Sequence, residues 1–395
     1  MRTYRDLFST PEYPPFFLAC SLQVAAQTVA GLALGSLVYA ATGSALLSAL
    51  AMFGPALAQV VGAFTLLSAA DRLPPRAALA GLSLFLGLAT AAQAAPGLPT
   101  AAALALVLAQ GVPAALGGGV RYGLLTDILD RDGYLLGRSV LNMSTGTCQI
   151  LGYAIGGALV QALSPRGTLL IAAGLYGLSA AVARRGLARR AARATGRPSA
   201  AATLRGNALL WSSRPRRYVY LALWVPNGLI VGCEALFVPY DPAHAGLLLA
   251  AAALGMLAGD TLAGRFVPAR LRGRLGAPLR LLLAAPYLVF AVRPALPVAA
   301  FAVACASVGY AASLLLQERL VALTPDELSG HALGLHTAGM LSAQGIAALL
   351  AGALAQVTSP ATAMTALAAG SLAVTLALAP GLRRVEGPEP RTAVP

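Results

Sequence analysis

Lysine is absent from the chain, and all 28 basic residues among its 395 are arginine. A P-loop that binds ATP requires the lysine of the pattern G-x-x-x-x-G-K-[ST], so the sequence excludes an ATP-hydrolysing site of that kind. The exclusive use of arginine, together with abundant alanine, is typical of a protein from a G+C-rich bacterium.

Cysteine and histidine are scarce, with four and three copies respectively. The cysteines have no C-x-x-C or cysteine–histidine spacing, so we expect no disulfide framework, no metal site and no bound cofactor. A membrane-embedded enzyme acting on lipid-linked groups would need clustered Asp, His or Lys for metal–phosphate chemistry. We expect no such cluster, and the chain is therefore not predicted to be an enzyme. A sensor would need a signalling domain, which we do not find.

Charged residues make up only 11% of the chain, whereas 58% is hydrophobic and the mean hydropathy is +0.74. A water-soluble globule could not carry this balance without large exposed apolar patches, so the natural solvent is a bilayer. Crossing the hydrocarbon takes about 20 apolar residues. The sequence predicts an all-α integral membrane protein of about twelve spans, near 15–41, 44–70, 77–95, 101–129, 138–163, 167–184, 217–239, 244–265, 278–293, 297–323, 333–358 and 361–382.

The arginines lie between the apolar runs and not on one soluble domain, so the net charge of +14 does not indicate nucleic acid binding. They concentrate in the even-numbered linkers, and cytoplasmic linkers are the ones that retain arginine. We therefore expect both termini in the cytoplasm of a bacterium and the protein in its cytoplasmic membrane. The linker between the tenth and eleventh spans, with Asp326 and Glu327, does not follow this pattern.

A long basic stretch divides the chain near its centre. We predict a six-helix bundle at 1–184, a cytoplasmic linker at 185–216 and a second six-helix bundle with a short tail at 217–395. An internal repeat supports this division, because GGALVQALSP from Gly156 matches AGALAQVTSP from Ala351, 195 residues later. Matched halves of the same orientation are typical of carriers whose bundles are related by an axis along the membrane normal. The linker either contacts anionic lipid or only marks the cytoplasmic side.

These features resemble the major facilitator superfamily over essentially the full length. In the loop after the second span, Asp71 and Arg72 match the family pattern G-x-x-x-D-R-x-G-R, and Arg76 arrives one place late. The resemblance implies that these three residues contribute to a cytoplasmic gate, whereas an alternative interpretation is a turn that caps two helices.

Two further motifs carry the resemblance. The fourth span keeps Gln110, Gly111, Ala114 and Ala115 of R-x-x-Q-G-x-x-A-A, but Val107 stands where the family has its proton-site arginine. The fifth span approaches the exporter pattern G-P-x-x-G-G. Its glycines form a small-residue face suited to close helix packing, and the resemblance favours export. They are Gly152, Gly156 and Gly157.

Ionisable and polar residues inside the spans are the candidates for a site, because charges in hydrocarbon cost roughly 2.5–3.5 kcal/mol each on insertion scales. Glu234 in the seventh span is the proton-coupling candidate, with a simple hydrogen-bonded carboxyl as the alternative. We expect the substrate cavity to include Gln23, Gln27, Gln110, Asn227 and Tyr310. Three charged residues are expected towards the cytoplasm: Arg121, Glu318 and Arg319. We expect them to form a gate between the bundles, to bind an anionic group or to make a plain salt bridge.

Together these predictions describe an alternating-access carrier that functions as a monomer. Its partners are a small-molecule substrate and membrane lipid. The expected activity is proton-coupled export of a hydrophobic or amphipathic molecule, such as a drug, secondary metabolite or siderophore. Uptake of a neutral nutrient is the alternative within transport.

Overall fold

We describe the chain from a computed structural model, which defines residues 4–66, 73–191, 200–325 and 328–384. Within these ranges the chain folds into helices joined by loops. The helices are α1 (Tyr4–Ser9), α2 (Tyr13–Thr42), α3 (Ala45–Leu66), α4 (Pro75–Gln93), α5 (Thr100–Ile128), α6 (Arg131–Ala162), α7 (Pro165–Gly186), α8 (Ala200–Ser212), α9 (Arg214–Glu234), α10 (Phe237–Tyr240), α11 (Ala245–Arg265), α12 (Ala269–Ala284), α13 (Leu296–Val308), α14 (Ala312–Ala322), α15 (Ser329–Val357) and α16 (Pro360–Arg384).

Eleven segments within those ranges are long and apolar enough to cross a membrane, which makes the chain a multi-pass membrane protein. The predicted fifth span is α6, and it is not among the eleven. Its length suffices, but polar residues such as Thr145, Gln149 and Gln161 lower its hydropathy. Eleven of the twelve predicted spans therefore have the length and hydropathy of a membrane-crossing segment. The remaining one, the predicted fifth span, is a more polar helix of membrane-spanning length.

Three predicted spans are interrupted. The seventh runs through α9 and the short α10, and the ninth continues from α12 as a 3-10 helix over Ala285–Val292. Pro286 lies near the start of that segment, where its missing N–H removes an α-helical hydrogen bond. In the tenth, a 3-10 turn over Gly309–Ala311 separates α13 from α14. A Cβ added to Gly309 would lie 2.4 Å from the backbone nitrogen of Leu283, so this turn lies directly against α12.

Local signals explain several helix ends. Gly43 ends α2 with φ of 63°, the left-handed conformation that favours glycine. Asp130 and Ser164 are N-caps whose side chains accept hydrogen bonds from the backbone N–H groups of Gly133 and Gly167. The loops at Gly43 and Ser164 lie at one end of the long helices, which we call the arginine-poor end.

The helices of each half of the chain pack mainly on one another. In the first half, α2 contacts α3, α6 and α7, and α4 contacts α5 and α7. In the second half, α9 contacts α15 and α16, and α11 contacts α13. Two extensive contacts join the halves, α3 with α15 and α6 with α11. Any site between the halves is therefore flanked by these two helix pairs.

The predicted linker begins as an extended segment tied to the first half. Arg190 donates two hydrogen bonds to the Glu12 carboxylate, at 2.7 and 2.8 Å, and the backbone N–H of Ala188 donates a third at 2.9 Å. The Arg190 guanidinium and this N–H lower the pKa of Glu12 and outweigh the opposing effect of partial burial. Arg76 also donates to the carbonyl oxygen of Leu187. The start of the linker is thereby fixed to α2 and α4.

The linker also contains a helix that the sequence did not predict, and α8 packs on the second half. Trp211 of α8 stacks on Trp224 of α9 with ring centroids 5.7 Å apart, and Tyr220 lies against both rings. Asn207 and His331 share a hydrogen bond of 2.7 Å, which ties α8 to the start of α15.

Candidate functional site

The halves meet closely near the arginine-poor end, and the repeat provides the contacts. A Cβ added to Gly157 of α6 would lie 3.0 Å from the Cα of Gly246 in α11, and one added to Gly352 of α15 would lie 2.5 Å from the Cα of Leu46 in α3. Backbones approach this closely only where side chains are absent. Gly157 and Gly352 occupy the same position in the two copies of the repeat.

Two glutamines of the repeat cross the same junction. The Nε2 group of Gln161 donates to the carbonyl oxygen of Ala243, and that of Gln356 donates to Oγ of Ser44. Each glutamine belongs to one half and contacts the loop between the first two predicted spans of the other half. We call the repeat glycines and glutamines, with these loop partners, the paired clasp. The sequence repeat contains these identities but does not indicate their role at the junction.

An apolar cluster fills the space beside the clasp and contains residues of both halves. Leu32 and Ala45 of the first half are buried together with Phe237, Tyr287 and Phe290 of the second. Tyr39 additionally donates a hydrogen bond of 3.4 Å to the carbonyl oxygen of Pro239. The described contacts therefore close the junction at the arginine-poor end.

Glu234 lies at the end of α9, next to this cluster. The Tyr310 hydroxyl donates a hydrogen bond to Glu234 Oε1 at 3.0 Å, and Tyr310 is only 7% exposed. Tyr153 of α6 packs on the cluster that contains Tyr310 and Tyr287. No cation pairs with Glu234 in the ranges that the structure defines. The structure thus places one partly buried carboxylate among tyrosines where the two halves meet.

Two predicted cavity residues make hydrogen bonds between helices, and their place in a cavity stays a prediction. Asn227 accepts a hydrogen bond from Nε2 of Gln344 at 3.1 Å, which joins α9 to α15. Gln110 accepts from Gln93 and donates to Thr90 and to the carbonyl oxygen of Leu86, which joins α5 to α4. The amides of both residues are therefore engaged within their own halves.

The remaining cavity candidates lie on α2. Gln27 is exposed, whereas Gln23 is only 6% exposed and its Oε1 atom is buried with no hydrogen-bond partner. The Arg121 guanidinium of α5 contacts the Cys20 thiol, one turn of α2 before Gln23. These polar groups lie on facing surfaces of α2 and α5.

The gate candidates that the structure describes lie on different helices and have different contacts. Arg76 binds the linker, and Arg319 donates to the carbonyl oxygen of Leu382 at 2.6 Å within the second half. Glu318 is exposed on α14. Asp71 and Arg72 lie outside the described residues, so their role stays a prediction.

The predicted glycine face divides between two neighbours. A Cβ on Gly152 would lie 3.0 Å from Thr28, and Gly156 faces Val29 and Leu32 at ordinary contact distance. Both glycines thus bring α6 against α2, while Gly157, on a different side of α6, belongs to the paired clasp.

No group of three His, Cys, Asp or Glu that would suit a metal occurs among the described residues. One D-x-x-D spacing does exist, at Asp127 and Asp130, contrary to our expectation from the sequence that no acidic cluster of this kind occurs. Asp130 caps α6, and Asp127 acts electrostatically on Arg190 of the linker. Asp130 therefore has a structural role at the start of α6.

A cavity of about 410 Å³ lies away from Glu234, between α1, α2 and α6. Its lining includes Tyr4, Phe17, Ser21, Met143 and Thr147. None of the predicted site residues lines it.

Comparison with known proteins identifies the fold. No family model matches the sequence, and no curated protein matches it significantly. A POT family transporter solved with 5-aminolevulinic acid superimposes with a TM-score of 0.76 at 12% identity, covering 96% of this chain and 100% of that one. The nucleoside transporter NupG, solved as a mutant, gives 0.74 at 13% identity over 93% of this chain and 99% of that one.

A third structure extends the comparison. A bacterial homologue of the human lysosomal transporter Spinster, in an inward-facing and unoccupied conformation, gives a TM-score of 0.66 at 14% identity, covering 98% of this chain and 94% of that one. All three proteins are transporters with the major facilitator fold, and this chain has the same fold.

Proposed function

We propose that the chain is a secondary active transporter that works by alternating access. In this proposal α6 is a true span, the halves at 1–184 and 217–395 are six-helix bundles, and 185–216 is a cytoplasmic linker. The protein functions as a monomer in a bacterial cytoplasmic membrane with both termini inside. The transporter neighbours and the arginine distribution support this arrangement. The clasped arginine-poor end then faces outward, so the described conformation is closed towards the outside.

Glu234 is the observation that carries the proposed coupling to protons. Its carboxyl lies where the halves meet, with a neutral tyrosine as its hydrogen-bond partner. A carboxyl in such surroundings can be neutral or ionised, so it can take up a proton from one side and release it to the other as access alternates. The clasp must separate before the outer solution reaches it.

The proposed cargo is a hydrophobic or amphipathic molecule that is exported. The aromatic and aliphatic cluster around Glu234 favours an apolar body. Uptake of a neutral nutrient is the second candidate, and the solved neighbours favour it, because their names include carriers of peptides and nucleosides. A lipid-modifying enzyme is the least favoured candidate, because those neighbours are all transporters.

Flux in proteoliposomes tests this proposal. Purified protein is reconstituted with a pH indicator inside, and amphipathic dyes, short peptides and nucleosides are offered with an imposed pH gradient. We expect one class to move with a matching change of internal pH, and Glu234→Gln to lose gradient-driven accumulation. The control is Asp241→Asn, which removes an outer-loop carboxylate that is hydrogen-bonded to His244.

Three outcomes would contradict the proposal at different levels. Failure of every offered class to cross argues against a transporter of these solutes. Undiminished flux with both the pH gradient and the membrane potential collapsed rejects proton coupling. Unchanged gradient-driven flux in Glu234→Gln rejects this residue as the coupling site.

A further inference from the structure

We infer that the first half binds an anionic group of the cargo at Arg121, with Gln23 as a second polar contact. This inference rests on the proposed transport function and narrows the substrate class to amphipathic molecules with an acidic group, such as a carboxylate. It also gives Arg121 a role in binding instead of a role in a gate.

Arg121 is a charge without a charged partner in the ranges that the structure defines. Its guanidinium contacts the Cys20 thiol, and its Nε atom is buried with no hydrogen-bond partner. A charged side chain inside a membrane span is costly unless it pairs or lines an aqueous cavity. The side chain is partly exposed, so an anion in solution can reach it.

Gln23 supplies an independent observation beside Arg121. It lies three residues after Cys20 on α2, is 6% exposed, and has a buried Oε1 that finds no hydrogen-bond partner among the described residues. A buried amide with an unmet hydrogen-bonding group is costly, so such groups normally have a partner. Its carboxamide can present either the oxygen or, when turned over, the NH₂ group to a ligand. The NH₂ group would donate to the same anion as Arg121.

A second guanidinium lies on the neighbouring helix α6. Arg138 of α6 lies over the ring of Tyr122, 5.2 Å from its centroid, and Tyr122 follows Arg121 in the chain. A cation–π contact holds Arg138 without neutralising its charge. Two arginines on neighbouring helices therefore make this region of the first half more favourable for anions than for cations.

The competing explanation is that Arg121 pairs with an acidic residue of a gate. Asp71 is the candidate from the sequence, and it lies outside the described residues. The two explanations differ in a measurable way. A binding residue affects ligands of one charge, whereas a gate pair gives the same phenotype when either partner is neutralised.

Ligand-induced thermal stabilisation of the purified full-length protein tests the inference. The probes are 2-naphthoate, 2-naphthalenemethanol and 2-naphthylmethylammonium, which share one apolar body and differ in charge. We expect 2-naphthoate to stabilise the wild type most. Arg121→Gln should bind it about tenfold or more weakly, the effect of losing one charge-assisted hydrogen bond, with a smaller loss for Arg121→Lys and Gln23→Leu. Arg166→Gln, at the arginine-poor end, is the matched control.

The inference is overturned if no probe stabilises the wild type, if the alcohol or ammonium probe does so equally well, or if Arg121→Gln keeps the preference for 2-naphthoate. It is also overturned if Asp71→Asn weakens 2-naphthoate binding as Arg121→Gln does and the double variant adds nothing, because that result indicates a gate pair. The flux measured in proteoliposomes does not depend on the outcome of this binding experiment, so the proposed function is judged separately.

Discussion

Single residues show how much depends on partners that a sequence does not display. Glu234 is identifiable from the sequence because a carboxylate inside an apolar run is rare and costly. Asn227 and Gln110 look equally suitable for a cavity, yet Gln344 and Gln93 engage their amides. Such hydrogen bonds between helices depend on how each helix is rotated about its own axis, and an alanine-rich pattern does not specify that rotation.

Tyr310→Phe tests the hydrogen bond to Glu234. We expect gradient-driven flux to fall about tenfold, because a bond to a carboxylate is stronger than an ordinary one and its loss leaves the carboxyl without its described partner. The control is Tyr287→Phe, since the Tyr287 hydroxyl is buried with no hydrogen-bond partner. Equal loss of flux in both variants would attribute the effect to removing a buried hydroxyl from this cluster and not to the hydrogen bond with Glu234.

The Glu12–Arg190 pair gives a prediction about pH. The lowered pKa of Glu12 means that its stabilising contribution is present above the ordinary value of 4.5 and is lost as the pH falls through the lower folded value. At pH 7, Glu12→Gln should cost at most about 1 kcal/mol, because the pair is partly exposed. Thermal unfolding of both proteins at pH 7 and near pH 3.5 checks this, and a difference that persists undiminished at low pH contradicts it.

The sequence predicts the positions of most helices but not the interruptions within them. The long apolar runs correspond to most helices, and glycine and proline residues lie near the observed helix ends. The interruptions at Ala285–Val292 and Gly309–Ala311 were not predicted, because they depend on contact between α12 and its neighbour. The helix α8 was also missed, since Trp211 gains its stacking partners only in the folded chain.

Gly352→Ala tests the paired clasp. The added methyl would meet the backbone of Leu46 at 2.5 Å, so α3 and α15 must move apart. In a variant whose native cysteines are replaced, we expect Ala49→Cys, buried at this junction, to react several-fold faster with a membrane-impermeant maleimide when Gly352→Ala is present. The control is Gly31→Ala, because an added Cβ there has nothing within 4 Å. An unchanged labelling rate would show that the clasp does not set access.

At the scale of the whole molecule, the arrangement of the halves rests on the repeat and on the arginine distribution. The repeat shows which positions correspond, but which helices contact across the halves follows only from the three-dimensional packing of α3 with α15 and α6 with α11. The anionic preference at Arg121 is also a property of the assembled first half, since α2, α5 and α6 all contribute to it.

Cysteine labelling in intact cells tests the overall orientation. With the native cysteines replaced, Thr358→Cys at the arginine-poor end should react with an impermeant maleimide, whereas Arg189→Cys in the linker should react only after the membrane is permeabilised. This follows from retention of arginine on the cytoplasmic side. Reaction of both positions from the outside would reject the topology and, with it, the outward position of the clasp.

Reciprocity in the clasp has a consequence for chains cut in two. Each glutamine reaches the loop of the opposite half, so neither fragment carries both donor and acceptor of either bond. The chain can be expressed as two fragments, cut between residues 191 and 200. We therefore expect the co-expressed fragments to associate through the two glutamine contacts without a covalent connection. Each fragment alone would expose one glutamine donor and one loop acceptor without their partners, so a single fragment should be prone to degradation.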